Sequence, residues 1–139
     1  MTAVYHQHPF LRFPARETFR TINVVLKSEM HAKYLVSVVF TDDRLIKRMN
    51  RKYLSHNRVT DVIAFELQDG IGMDGELYVN LDQARRQASE FGVPFREEVR
   101  RLLIHGTLHL AGYRDSTKQL KAKMHRLEDR YLERLRRTR

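Results

Sequence analysis

Apolar positions along this chain follow two rhythms. Phe19, Ile22, Val25, Leu26 and Met30 recur every three or four residues, which predicts an amphipathic helix over 16–30. Residues 34–40 are rich in β-branched side chains and predict a buried strand. Thr41, Asp42 and Asp43 then form a cap with acidic first-turn residues, opening a helix through Leu45, Ile46 and Met49. Two further short strands are predicted at 61–65 and 76–80, joined by a polar, glycine-rich hairpin loop over 68–75. A helix over 82–91 should pack through Ala84, Ala88 and Phe91 and stop at Gly92, after which Pro94 can start the next one. The apolar run 99–110 reads as that helix. From Thr117 onward Leu120, Met124, Leu127, Tyr131 and Leu135 form one stripe, which suits core packing better than a cofactor box. Residues 4–13 carry scattered aromatics ending at Pro14 and predict a short edge strand.

No repeat, low-complexity tract or linker divides the 139 residues, so one domain spanning 1–139 is expected. The pattern is α+β: a small sheet of three or four strands covered by four or five helices. There is no cysteine, hence no disulfide partner and no thiolate metal site. The first twenty or so residues lack the apolar core of a signal peptide. Nothing approaches the roughly eighteen apolar residues of a spanning helix. A cytoplasmic protein with no membrane partner is the expectation.

Chemistry concentrates in His105-Gly-Thr-Leu-His109-Leu-Ala-Gly-Tyr-Arg-Asp115. Imidazoles at i and i+4 leave one face of a helix together, close enough to share a metal ion. Gly112 offers a helix stop, and the turn after it can bring Asp115 round as a third ligand. Three protein ligands leave a coordination position open, which suits catalysis more than structure. A bare pair of histidines at this spacing is more often surface or core than ligand. The glycine break and the third candidate shift that balance toward a site. Two imidazoles with a carboxylate suit one Zn²⁺ per chain best, with Ni²⁺ and Mn²⁺ as alternatives.

This segment resembles the signature of the YbeY family of bacterial endoribonucleases and ribosomal RNA maturation factors, His-Gly-x-Leu-His-Leu-x-Gly-Tyr-Asp-His. The match runs through Tyr113, after which Arg114-Asp115 stands in place of Asp-His. Asp115 thus falls at the position of the family's third histidine, and carboxylate oxygen is an acceptable ligand for the same ions. Asn50-Arg51-Lys52-Tyr53, Thr60-Asp61-Val62-Ile63-Ala64-Phe65 and Gly75-Glu76-Leu77-Tyr78-Val79-Asn80 are similar to three further family blocks, in the same order. Leu54 stands where many members carry a functional arginine. The resemblance implies a zincin-like metal site at the end of one helix, with His105 and His109 catalytic. It also implies cleavage of single-stranded RNA, with ribosomal RNA and the small ribosomal subunit as partners. The expected role is maturation of the small-subunit 16S RNA 3′ end and ribosome quality control, the attacking group being an activated water or the RNA 2′-OH.

A net charge of +9 fits a polyanionic partner, though basicity alone is weak evidence. Arg51, Lys52, Arg58 and Arg114 are the candidate RNA contacts, each weighed against an ordinary solvated role. His6, His8, His31, His56 and His125 have no partner at ligand spacing, and a surface position is expected for His6 and His8. Two other readings compete. A zinc protease needs the glutamate of His-Glu-x-x-His as its base, and Gly106 occupies that position. A non-catalytic, metal-stabilised RNA- or ribosome-binding assembly factor is the other, kept open by Leu54.

Overall fold

The computed structural model describes residues 3–30, 34–54, 59–68 and 73–138. Along the chain run β1 (Ala3–His6), α1 (Ala15–Glu29), β2 (Leu35–Thr41), α2 (Asp43–Tyr53), β3 (Val62–Gln68), β4 (Met73–Asn80), α3 (Leu81–Phe91), α4 (Phe95–Leu110) and α5 (Lys118–Arg137). The four strands form one sheet in the order β1-β2-β4-β3. β1, β2 and β4 are parallel, and β3 closes the edge antiparallel to β4. The expected α+β class forms, with four strands and five helices among the described residues.

Local signals explain most element ends. The Asp42 carboxylate accepts from the Leu45 amide at 2.9 Å and starts α2, and Asn80 Oδ1 accepts from the Asp82 and Gln83 amides at 3.0 and 3.3 Å to start α3. Gly92, at φ +66°, terminates α3, and Thr117 caps α5. α4 is the centre of the fold. Val99, Leu102, Leu103, Ile104, Leu108 and Leu110 are all buried, as a helix packed on several sides requires. One side meets the sheet through Leu77, Val79 and Val38; another meets Val25, Met124 and Tyr131 of the flanking helices.

Gly106 explains how closely α4 and the sheet approach. A Cβ there would lie 2.8 Å from Leu77 Cδ2 and 3.2 Å from Val62 Cγ2. The position faces the sheet, not the histidines' side of the helix.

Four expectations need correction. The N-terminal strand ends at His6, because His8 turns inward: its Nδ1 accepts from the Phe10 and Leu11 amides and its Nε2 pairs with Asp82 at 2.7 Å. His8 is therefore buried and not a surface residue, while His6 bonds the Phe13 backbone. Gly75 belongs to β4, against Leu110, so the β3–β4 connection is shorter than 68–75. On α3, Ala84 and Ala88 pack as expected, but Phe91 is 59% exposed.

Candidate metal centre

The last two turns of α4 and the reversal that follows build the site. Thr107 and its neighbours are buried against the core, which fixes the rotation of the helix and leaves His105 and His109 on a partly open face. Gly112, at φ +102°, reverses the chain, with the Gly112 amide donating to His109 O and the Tyr113 amide to Leu108 O, both at 3.0 Å. A left-handed residue is needed there, and glycine takes it without a Cβ penalty. The reversal returns Asp115 over the histidines.

The three side chains converge. His105 Nε2 and His109 Nε2 are 3.0 Å apart, and Asp115 Oδ2 lies 3.5 Å from each. Ligand atoms held about 2.1 Å from a tetrahedral ion stand about 3.4 Å apart. The observed triangle is of that size, so the group could hold a metal ion.

The opposite nitrogens reinforce this. His109 Nδ1 donates to the Tyr113 carbonyl at 3.0 Å, a partner that can only accept. His105 Nδ1 donates to Glu128 Oε2 at 2.7 Å. Both Nε2 atoms then present lone pairs to each other, and only a cation between them, a proton or a metal ion, relieves that repulsion. Anchoring of Nδ1 by a carboxylate or carbonyl is the usual support of a metal-binding histidine. Glu128 is itself held: its side chain is 3% exposed, and Arg101 Nη1 donates to its Oε1 at 3.0 Å. Burial works against a charge on His105, yet the Glu128 hydrogen bond and charge, with Asp61 and Asp115 behind them, raise its pKa overall.

A groove of about 270 Å³ opens beside His105 and Asp115, walled by α3, α4 and α5. Asp61, just before β3, also lines it. So does Glu98, 2% exposed, whose pKa burial raises against the opposing bond from Gln87.

Of the basic residues singled out in the sequence, Arg114 is exposed next to Asp115. Arg51 and Lys52 are exposed in the last turn of α2 and do not line the groove at His105. Lys52 instead sits over the Tyr53 ring, 5.2 Å from its centroid. Arg58, like His31 and His56, lies outside the described residues. His125 is largely exposed, with Nδ1 3.6 Å from Glu128 Oε1. Sequence reasoning missed Glu128 and Glu98. Glu128 had a signal, since it falls four residues after Met124 and three before Tyr131, on the apolar stripe where a charge needs a partner.

Comparison with known proteins bears on the chain as a whole. The sequence matches the family described as "Endoribonuclease YbeY" over residues 7–136. A protein of that name from Chlorobaculum tepidum is 42% identical over 83% of this chain and 84% of its own. Another from Salinibacter ruber is 35% identical over 94% of this chain and 88% of its own. The solution structure of a Thermotoga maritima protein superposes with a TM-score of 0.63 and 26% identity, covering 96% of this chain and 87% of that one. With the family matched from the N-terminal segment to the end of α5, this chain belongs to the endoribonuclease YbeY family.

Proposed function

We propose that the protein is a metal-dependent endoribonuclease that cleaves single-stranded RNA at the His105–His109–Asp115 centre. The observation that carries this reading is the triangle of ligand atoms with both histidine Nδ1 atoms tied back to acceptors. Zn²⁺ is the ion the two-imidazole, one-carboxylate set suits best. When bound, the ion supplies Lewis-acid polarisation of a phosphoryl oxygen and lowers the pKa of water toward about 7. The protein's own groups do the rest. Glu128 fixes the tautomer and ring orientation of His105, and the Tyr113 carbonyl does the same for His109. Arg114, exposed next to Asp115 in the chain, is the proposed phosphate contact.

Family membership supports ribosomal RNA, and the 3′ end of the small-subunit 16S RNA in particular, as the substrate, with ribosome quality control as the setting. The charge of +9 supports a polyanionic partner. Among the described residues no helix is long and apolar enough to cross a membrane, which is compatible with work on ribosomes in the cytoplasm. A peptide substrate is disfavoured: position 106 has no carboxylate, and it faces Leu77 and Val62.

The test is cleavage of a labelled single-stranded RNA by purified protein, with casein alongside. Chelation and His105→Ala should each abolish RNA cleavage while helical content is retained. Metal-dependent proteolysis without RNA cleavage would favour the protease. Tight RNA binding without cleavage under any metal would favour the non-catalytic assembly factor, a reading that Leu54, 41% exposed where many members carry arginine, keeps specific.

A further inference from the structure

Hydrolysis of a phosphodiester needs an acceptor for the proton of the attacking water, and the ligand triangle leaves that role open. The carboxylate that fills it in zinc proteases is absent, because position 106 is glycine. Four carboxyl groups line the groove beside His105: Asp61, Glu98, Asp115 and Glu128. Three of them are committed. Glu128 gives one oxygen to Arg101 and the other to His105. Asp115 belongs to the ligand triangle. Glu98 bonds Gln87 through one oxygen, and its other oxygen is sealed from solvent. Asp61 is the fourth. It is partly exposed, and no described residue donates a hydrogen bond to its carboxylate. It also stands outside the ligand group, whose atoms all lie within 4.8 Å of one another.

The fold holds Asp61 at the groove from two sides. With no Cβ on Gly106, Val62 at the start of β3 packs directly on α4, its Cγ2 3.2 Å from where that Cβ would stand. Asn80, fully buried at the end of β4, pins the two residues before Val62. Its backbone amide donates to Asp61 O at 2.8 Å, and its Nδ2 donates to Thr60 O at 3.2 Å. The Asp61 charge reaches the centre, where it helps to raise the pKa of His105.

We propose that Asp61 is the general base of the cleavage reaction, taking the proton of the attacking water. The proposal rests on RNA hydrolysis at the His105–His109–Asp115 centre and adds which residue moves the proton. As the water oxygen bonds to phosphorus, the bond from phosphorus to the leaving ribose oxygen breaks. The water's proton passes to a carboxylate oxygen of Asp61, and the carboxylic acid so formed gives it to the leaving oxygen. One water is consumed, a phosphate monoester and a free hydroxyl form, and Asp61 ends as the carboxylate it was. Nothing is oxidised or reduced.

Single-turnover cleavage of a labelled single-stranded RNA by metal-loaded protein tests this, with metal content per chain and thermal melting measured on every variant. Asp61→Asn, which keeps the shape and removes the base, should slow cleavage at saturating RNA by about 100- to 10,000-fold. Its metal content, melting and half-saturating RNA concentration should match wild type, because the lost interaction belongs to the transition state alone. Asp61→Ala should be equally slow, and added formate should restore part of its rate while chloride should not. The groove, at about 270 Å³, has room for that small carboxylate in place of the deleted side chain. His125, a second base lining the groove, is 71% exposed at its side chain, and His125→Asn should cleave as wild type does. The inference is wrong if metal-loaded Asp61→Asn cleaves as fast as wild type, or if formate does no more for Asp61→Ala than chloride. It is equally wrong if Asp61→Asn is slow only because its metal is lost. Those outcomes leave the endoribonuclease reading standing, whereas wild-type protein that cleaves no RNA with any metal overturns that reading and this inference with it.

Discussion

Glu128 Oε2 and His105 Nδ1 are 2.7 Å apart, joining α5 to α4 directly behind the candidate metal centre. The contact fixes which nitrogen of His105 faces the ligand triangle. Glu128→Ala should therefore lower metal affinity by about 10–100-fold, measured by competition with a chromogenic chelator. Glu128→Gln keeps an acceptor and should lose less. Arg101 retains Asp129 at 2.7 Å in either variant, which limits collateral unfolding. Equal affinity in wild type and Glu128→Ala would show that the contact does not set His105.

The ligand set itself is tested by metal content per chain. His109→Ala and Asp115→Ala should each reduce it sharply after dialysis, because two remaining ligands hold an ion far less firmly than three. Asp115→His should keep the ion and bind softer metals more tightly, as imidazole replaces a carboxylate oxygen. Unchanged content in His109→Ala would remove the metal centre from the account.

RNA affinity should depend strongly on salt. For single strands the log–log slope is about −0.7 per phosphate neutralised. A flat dependence would show that the +9 charge serves something other than RNA.

Local chemistry was legible in the sequence; long-range pairing was not. His105, His109 and Asp115 lie within eleven residues, so helix geometry and one glycine turn place them without reference to the rest of the fold. Asp42 and Gly92 announce their helix ends in the same local way. Glu128 is 23 residues from His105, and nothing local says which charge on α5 is buried, although its place on the apolar stripe is a hint. His8 and Asp82 are 74 residues apart, and their pairing depends on the sheet setting β1 and β4 on either side of β2. Phe91 was misplaced because helical spacing predicts which face a residue shares, not where the neighbouring element stops. The parallel order β1-β2-β4 likewise depends on crossovers that periodicity does not encode.

Gly106→Ala should destabilise the fold by about 1–3 kcal/mol in denaturant unfolding, despite alanine's better helix propensity of about 1 kcal/mol. The added Cβ would meet Leu77 Cδ2 at 2.8 Å and Val62 Cγ2 at 3.2 Å, so the Leu77 side chain, fully buried in the core, must shift. Gly106→Glu should be worse still and should give no protease, since its side chain would enter the sheet interface. A stable Gly106→Glu variant with peptidase activity would contradict the placement of α4.

Tyr131 ties α5 to the end of α1 by donating to Glu29, which also accepts from Tyr113 at 2.7 Å. Glu29 thus braces both α5 and the turn that carries Asp115. Tyr131→Phe should cost about 1.5–3 kcal/mol, the net worth of a hydrogen bond to a carboxylate. Burial, followed by the Glu29 bond, pushes the Tyr131 pKa up to about 12. A raised folded-state value means that the protonated phenol is favoured by folding. Its contribution is full below the unfolded value of about 10 and is lost as pH rises through about 12. Wild type should accordingly lose stability between about pH 10 and 12 more steeply than Tyr131→Phe, as followed by thermal melts across that range. Parallel alkaline profiles for the two proteins would show that the Tyr131–Glu29 contact contributes nothing to the brace.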